Sequence, residues 1–452
     1  MLPDEVLLAI FDFCVSRVRN KDKKAEGAWQ SLVHVCRRWR ILVFQSPRRL
    51  NLRLYCTPKT STKDKLDVWP ALPLIIMGWM HPSLSTDDVI AALGQSNRVC
   101  EVHMNLAGWQ LENVLAAMQV PFPELTDLRL ISYEDTPPVI PDSFLGRSAP
   151  RLRFLHLHSI PFPGLPKLLL SAIHLVELDL HHIPHSGYIS PEAMVALISV
   201  SSSLEKLSLY FQPPQSRPDW ESRSLLPLKR TILPALHYFS FQGFTEYLEQ
   251  VVTHIDTPQL GRMRIIFFDQ IDFDCPRLTQ FINCTPALKA LNEAHVRLCT
   301  ATASVTLQSL FVSDNLLIDI WCSELNRQLS AIKQVFNSSL QPVSTIEYLY
   351  IRHRSSQRVW TIENTLWLEL LLPFTAVKNL FLSKEFVPGI AVALQELDGG
   401  RVIEVLPRLE EIFIEGLEPS GPFQERIGRF VVARQLFDHP IAISSWDNDT
   451  EV

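Results

Sequence analysis

The sequence predicts an α/β fold: a small all-α segment followed by a curved solenoid of parallel strands with helices on its outer face. Three observations carry this expectation. A unit Leu-x-x-Leu-x-Leu recurs along the chain, usually with Pro two residues ahead. Short apolar-periodic stretches, suited to helices, lie between the units. The first 46 residues instead show apolar stripes at helical spacing.

At the N-terminus, Pro3 suits a first helical turn, and Asp4 and Glu5 complement the positive helix end. Leu7, Ile10, Phe11 and Cys14 then recur at i, i+3, i+4 and i+7. Val6, Ile10 and Phe13 form an overlapping stripe, so this helix needs more than one neighbour. A second set, Trp29, Leu32, Val33 and Cys36, supplies one of them, and Trp39, Leu42 and Val43 continue it. Three short helices in about 46 residues cannot bury their apolar surface alone, which points to a partner. The blocks Leu2-Pro3-Asp4-Glu5-Val6-Leu7, Ile10-Phe11 and Val35-Cys36-Arg37-Arg38-Trp39 make the segment 2–44 resemble the F-box family. The resemblance implies docking onto the Skp-type adaptor of a cullin ubiquitin ligase. The contacts it implies are Leu2, Pro3, Glu5, Leu7, Ile10, Phe11, Val35, Cys36 and Trp39. One departure is the loop from Arg17 to Gly27, longer than the family's usual link.

The repeat is read at Leu125-x-x-Leu128-x-Leu130, Leu152/Leu155/Leu157, Leu175/Leu178/Leu180 and Leu204/Leu207/Leu209. Variants follow at Leu236, Leu260 and Leu288, and after a gap at Ile346, Val377 and Leu409. A weaker copy at Val99-Cys-Glu-Val102-His-Met104 precedes them. First positions from 125 to 288 are 27, 23, 29, 32, 24 and 28 residues apart, centred on a leucine-rich-repeat period. The last Leu-x-Leu alternates with period two, so both leucines enter the core and the residue between them faces outward. Helical segments are expected at 111–118, 167–172, 191–200, 246–252 and 277–282. No unit buries its own face, so units must stack. This part resembles leucine-rich-repeat proteins, and specifically the fungal set that joins an F-box to irregular repeats. Where regular repeats carry a turn asparagine, this chain has Tyr133, Ile160, Ile183, Gln212, Phe244, Phe268 and Val296.

Domain expectations are an F-box-like domain over 1–46, a linker over 47–70, a repeat array over 71–440 and a polar tail over 441–452. Residues 212–234, rich in Pro and Ser, read as a loop, and a longer helix is expected around Leu316, Leu317, Ile320 and Trp321.

Composition narrows the function. Net charge is −6 with pI near 6.2, which argues against a nucleic-acid partner. The longest apolar run, 71–80, is too short to span a membrane. Eight scattered cysteines without a C-x-x-C pair suit free thiols, so a cytoplasmic or nuclear location is expected. His156, His158 and the run His181-His182-x-x-His185 are metal ligands by type, but no Cys or carboxylate completes a set at familiar spacing. No nucleotide-binding, hydrolase or metalloprotease motif is present. No metal, cofactor or catalytic residue is therefore expected. An enzyme reading would have to build a site across repeats from His156, Asp179 and His181. The outward row offers a recognition surface instead, with Arg129, His156, His158, Asp179, His181 and Tyr210 as the target-binding candidates. Together these features lead to a substrate-recognition subunit of an SCF-type ubiquitin ligase. The alternative is a repeat scaffold capped by its N-terminal helices.

Overall fold

The computed structural model describes residues 2–19, 28–47, 50, 52–57, 62–79, 86–213, 230–268, 275–310, 315–322, 324–337, 341–353, 362–397, 399–417 and 422–446. The chain divides into two compact units, Met1–Ile189 and Ser190–Val452.

The first unit opens with α1 (Asp4–Arg19), α2 (Ala28–Val33) and α3 (Arg37–Gln45). Their interior is aromatic: Phe11 lies 4.7 Å from Trp39, and Trp29 lies 5.1 Å from Trp69. Trp29 is buried, and its indole N–H donates to the Arg53 carbonyl at 3.0 Å. That bond ties the helices to β1 (Leu54–Cys56). Next come α4 (Thr62–Val68), β2 (Leu74–Trp79), α5 (Asp87–Leu93), β3 (Val99–Leu106), α6 (Gly108–Ala117) and β4 (Asp127–Ser132). The unit closes with β5 (Phe154–His158), α7 (Leu165–Leu169) and β6 (Glu177–Ile183). Strands β1 to β6 pair in chain order, all parallel. The register places Val102, Leu128, Leu155 and Leu178 in one line and Met104, Leu130, Leu157 and Leu180 in the next. All eight are buried, as the Leu-x-Leu alternation requires.

The second unit begins with α8 (Pro191–Ser199), whose first turn is closed by the Ser190 hydroxyl accepting from the Ala193 amide. It continues with β7 (Lys206–Phe211), β8 (Thr231–Ile232), β9 (Tyr238–Gly243), α9 (Thr245–Thr253), β10 (Ile255–Asp256) and β11 (Arg262–Phe267). Then follow α10 (Pro276–Cys284), α11 (Pro286–Lys289), β12 (Glu293–Leu298), β13 (Thr302–Gln308), β14 (Asn315–Trp321) and α12 (Leu325–Asn337). The last elements are β15 (Tyr348–His353), α13 (Asn364–Leu371), β16 (Asn379–Leu382), α14 (Val387–Gln395), α15 (Arg401–Glu404), β17 (Glu411–Glu415), α16 (Pro422–Gln435) and β18 (Ala442–Trp446). The strands β7, β9, β11 and β14 are parallel, as are β12, β15, β16, β17 and β18. Between β14 and β12 sits β13, antiparallel to both. A small parallel pair, β8 and β10, stands apart.

Four expectations need correction. The helix expected around Leu316–Trp321 is strand β14, because Leu316, Ile318 and Ile320 are buried at period two while Asn315, Leu317 and Asp319 are not. A helix does follow in the same stretch, but as α12. The repeat read at Leu288 is shifted by three: Ala294 aligns with Leu349 and Val296 with Ile351, so the unit is Leu291-x-x-Ala294-x-Val296. Val296 is thus a core strand residue, and Tyr133, where regular repeats carry a turn asparagine, is 69% exposed. The stretch expected as a linker supplies β1 and α4, and the expected tail supplies β18. The stretches 212–234 and 17–27, both expected as loops, fall largely outside the described residues; where they are described, 17–19 belong to α1 and 231–232 form β8.

Each expected inter-repeat helix has a counterpart in α6 to α10. None of the eight cysteines forms a disulfide. No helix among the described residues is long and apolar enough to cross a membrane.

Candidate recognition surfaces

In the first unit, the faces of β3 to β6 opposite the leucines carry a polar row. The register aligns His103, Arg129, His156 and Asp179, and beside them Asn105, Ile131, His158 and His181. Strands stand about 4.8 Å apart, so such residues touch their neighbours. His103 Nε2 lies 3.1 Å from an Asp127 carboxylate oxygen, and Arg129 clasps both Asp127 oxygens at 3.1 Å. Asp179 stands between His156 Nδ1 at 3.1 Å and His181 Nε2 at 2.6 Å. Burial alone would raise the Asp179 pKa, but the hydrogen bonds and positive charge of the two imidazoles hold it well below the carboxylate range. Asp127 is depressed in the same way, against its burial, by His103 and Arg129. His158 is pushed below the ordinary histidine value by burial first and by its histidine neighbours next. It lies 5.5 Å from Tyr133, 4.9 Å from His182 and 6.1 Å from His181. Ser159 and His182, at equivalent positions of successive repeats, both adopt left-handed backbone.

The expected target-binding residues therefore divide. Arg129 is exposed, and His156, His158, His181 and Tyr210 are half-buried. Asp179 is 7% exposed, and so is core rather than surface. In the second unit Ser208, Ser240 and Gln242, which alternate with buried apolar strand residues, are buried as well. Period-two alternation identifies the face of the sheet, but cross-strand neighbours set the exposure on it. Tyr210 belongs to the second unit, where its hydroxyl hydrogen-bonds Ser240.

The second unit carries a further surface, on the strands that bear Tyr350 and Phe413. His295, Tyr350, Phe381 and Phe413 share one register line on β12, β15, β16 and β17. Their rings stack face to face at 4.4, 4.2 and 4.4 Å. Trp446 packs edge-on against Tyr350 and Phe381, and its indole N–H donates to the Leu382 carbonyl at 3.2 Å. The Arg352 guanidinium lies 5.0 Å from the Tyr350 ring centre and 5.1 Å from that of Trp446. Buried Glu293 accepts from His295 at 2.8 Å and from Gln308 at 3.1 Å. Burial and the neighbouring Glu293 carboxylate push the Tyr350 phenol up to about 12. The signal was present as an aromatic or imidazole between two apolar residues in each unit. It gained meaning only once the β12 register was known.

At the N-terminus, Leu7 and Phe11 are buried, Trp39 is half-buried, and Leu2, Pro3, Glu5, Ile10, Val35 and Cys36 are exposed. Val6, Phe13 and Ile41 are large apolar residues that are exposed as well. The nine residues expected to contact a partner thus separate into an internal core and an outer face.

In both units the Leu-x-Leu strands run parallel, in register and alternating with helices, which is leucine-rich-repeat architecture. No family model matches the chain, and no curated protein matches it. Among solved structures, it is similar to the leucine-rich-repeat-containing protein LegL7 from Legionella pneumophila. That likeness has a TM-score of 0.26 at 11% identity, covering 84% of this chain and 97% of that one.

Proposed function

We propose that the protein is the substrate-recognition subunit of an SCF-type cullin–RING ubiquitin ligase and is not itself an enzyme. Helices α1 and α3 dock the Skp-type adaptor, and the repeat strands hold a target protein. Ubiquitin transfer is performed by the other subunits. The observation that carries this reading is the division of the N-terminal helices. Leu7 and Phe11 stabilise them from within, while Leu2, Val6, Ile10, Phe13 and Val35 remain 42–64% exposed. Large apolar side chains left exposed in this way suit a protein contact. Of the F-box-like residues, Leu2, Pro3, Glu5, Ile10, Val35 and Cys36 are exposed, while Leu7 and Phe11 are internal.

Burying an aliphatic side chain contributes roughly 1.5–3 kcal/mol, so a charge on this face should weaken docking at least about tenfold. The test is co-purification of adaptor and cullin with the full chain and with Ile10→Asp and Val35→Asp variants. These positions are outside the helical core, so circular dichroism should match wild type. Loss of both partners is expected. Undiminished recovery of adaptor by the folded variants would remove the reading.

The scaffold alternative has its own support. Trp29, wedged against Trp69 and bonded to Arg53, makes the helices a cover for the open edge of β1. Capping uses the inner side and docking the outer side. A scaffold alone predicts no adaptor in the co-purification.

A further inference from the structure

We propose that His156, Asp179 and His181 form a binding site for a divalent transition metal ion of the zinc class. The site lies within the first unit and is independent of the ubiquitin-ligase reading. Its donors come from adjacent parallel strands. The register sets His156 beside Asp179, and period-two alternation returns His181 to the same face. The donor atoms, one from each residue, all lie within 4.8 Å of one another. Two imidazole nitrogens and one carboxylate suit zinc and its transition-metal neighbours rather than magnesium or calcium, which take oxygen.

The spacing is compatible with such an ion. Zinc held by nitrogen or oxygen at about 2.0–2.2 Å in tetrahedral geometry places its donors roughly 3.3–3.6 Å apart. His156 Nδ1 is already 3.1 Å from one Asp179 oxygen, and His181 Nε2 is 2.6 Å from the other. For these two pairs coordination requires an opening of about an ångström or less, while any donor pair near the 4.8 Å limit must close by roughly 1.2–1.5 Å. The rings have that freedom, with side chains 25% and 29% exposed, whereas Asp179 at 10% is the fixed base of the site. His158, stacked beside His181 at an interplanar angle of 13°, limits how far that ring can turn away. Three protein donors leave a coordination position open, to water or to a donor from a bound macromolecule.

The same sheet contains its own control. Glu101, His103 and Asp127 also bring three donor atoms within 4.8 Å. There, however, Arg53 pairs with Glu101, and Arg129 occupies both Asp127 oxygens. An ion would have to displace two guanidinium groups. Arg129 also acts on Asp179 through space, but its fork is engaged by Asp127. The first cluster should bind and the second should not.

The experiment uses the full chain without an affinity tag, stripped with chelator and titrated with Co²⁺ and then Zn²⁺. We expect one Co²⁺ per chain with visible ligand-field absorption, displaced by Zn²⁺. His156→Ala and His181→Ala should each weaken Zn²⁺ binding at least about tenfold, while His103→Ala should leave it unchanged. His156 is half-buried, so its truncation should preserve the circular dichroism spectrum even if that of His181 does not. Three results would overturn the proposal: no metal-dependent absorption from folded wild-type chain, equal binding by the folded His156→Ala variant, or loss of binding in His103→Ala.

Discussion

At the residue scale, the strand leucines and the residues between them do different work. Leu178 is fully buried, so Leu178→Ala should destabilise by about 2–5 kcal/mol. Arg129 lies on the opposite face, with its side chain 50% exposed and paired with Asp127. Arg129→Ala should cost less than about 1 kcal/mol. Denaturant unfolding of the two variants checks this, and comparable losses would contradict the alternation. Glu293 provides a pH test. Burial would raise its pKa, but hydrogen bonds from His295 and Gln308 prevail and hold it below the ordinary glutamate value. A depressed folded-state pKa gives stability that is present above the unfolded value of about 4.3 and lost as pH falls through the folded one. Glu293→Gln should therefore be less stable than wild type by about 1–2 kcal/mol at pH near 5, with the gap narrowing toward pH near 3. Urea unfolding at the two pH values measures it, and a gap independent of pH would refute the assignment. The buried leucines were legible in the sequence because their spacing is local. The burial of Asp179 and Glu293 was not, since each depends on partners that the fold brings alongside: His156 from the previous repeat, and Gln308 from the next strand.

At the element scale, regular repeats were read correctly and irregular ones were not. Leu125, Leu152 and Leu175 announce β4, β5 and β6 because each is followed by leucines three and five residues on. The β12 unit misleads because Leu288 and Leu291 mimic the start of a repeat, while its own core position is held by Ala294. The β13–β14 segment carries no leucine signature for a repeat, because antiparallel pairing needs only alternation. Strand β18 was hidden by its polar composition, Ala442-Ile443-Ser444-Ser445-Trp446, and its place comes from pairing with β17. Trp446 fixes this strand through ring contacts and its bond to Leu382. Trp446→Ala should destabilise the chain by about 1–3 kcal/mol and speed amide exchange in β17, its hydrogen-bonded neighbour. Unchanged exchange in Glu411–Glu415 would show that β18 does not hold the sheet edge.

At the scale of the whole molecule, the proposed docking and recognition roles fall on different surfaces. The proposed docking face is formed by exposed apolar residues of the N-terminal helical segment, whereas the proposed recognition faces lie on strands and present imidazole, arginine and stacked aromatic groups of the kind suited to protein contacts. The first is proposed from motif blocks at 2–7, 10–11 and 35–39, which are legible in the sequence itself. Only part of the second is legible there, since a register line such as His295, Tyr350, Phe381 and Phe413 spans more than a hundred residues of chain. Substitutions on distant surfaces normally act independently. The most direct test is equilibrium binding of purified Skp-type adaptor to three full-length chains: wild type, Ile10→Asp and the double variant Arg129→Ala/His158→Ala. The account predicts that wild type and the double variant bind with equal affinity, while Ile10→Asp, with a wild-type circular dichroism spectrum, binds at least about tenfold more weakly. Failure of the wild-type chain to bind adaptor, or equal binding by folded Ile10→Asp, would contradict it.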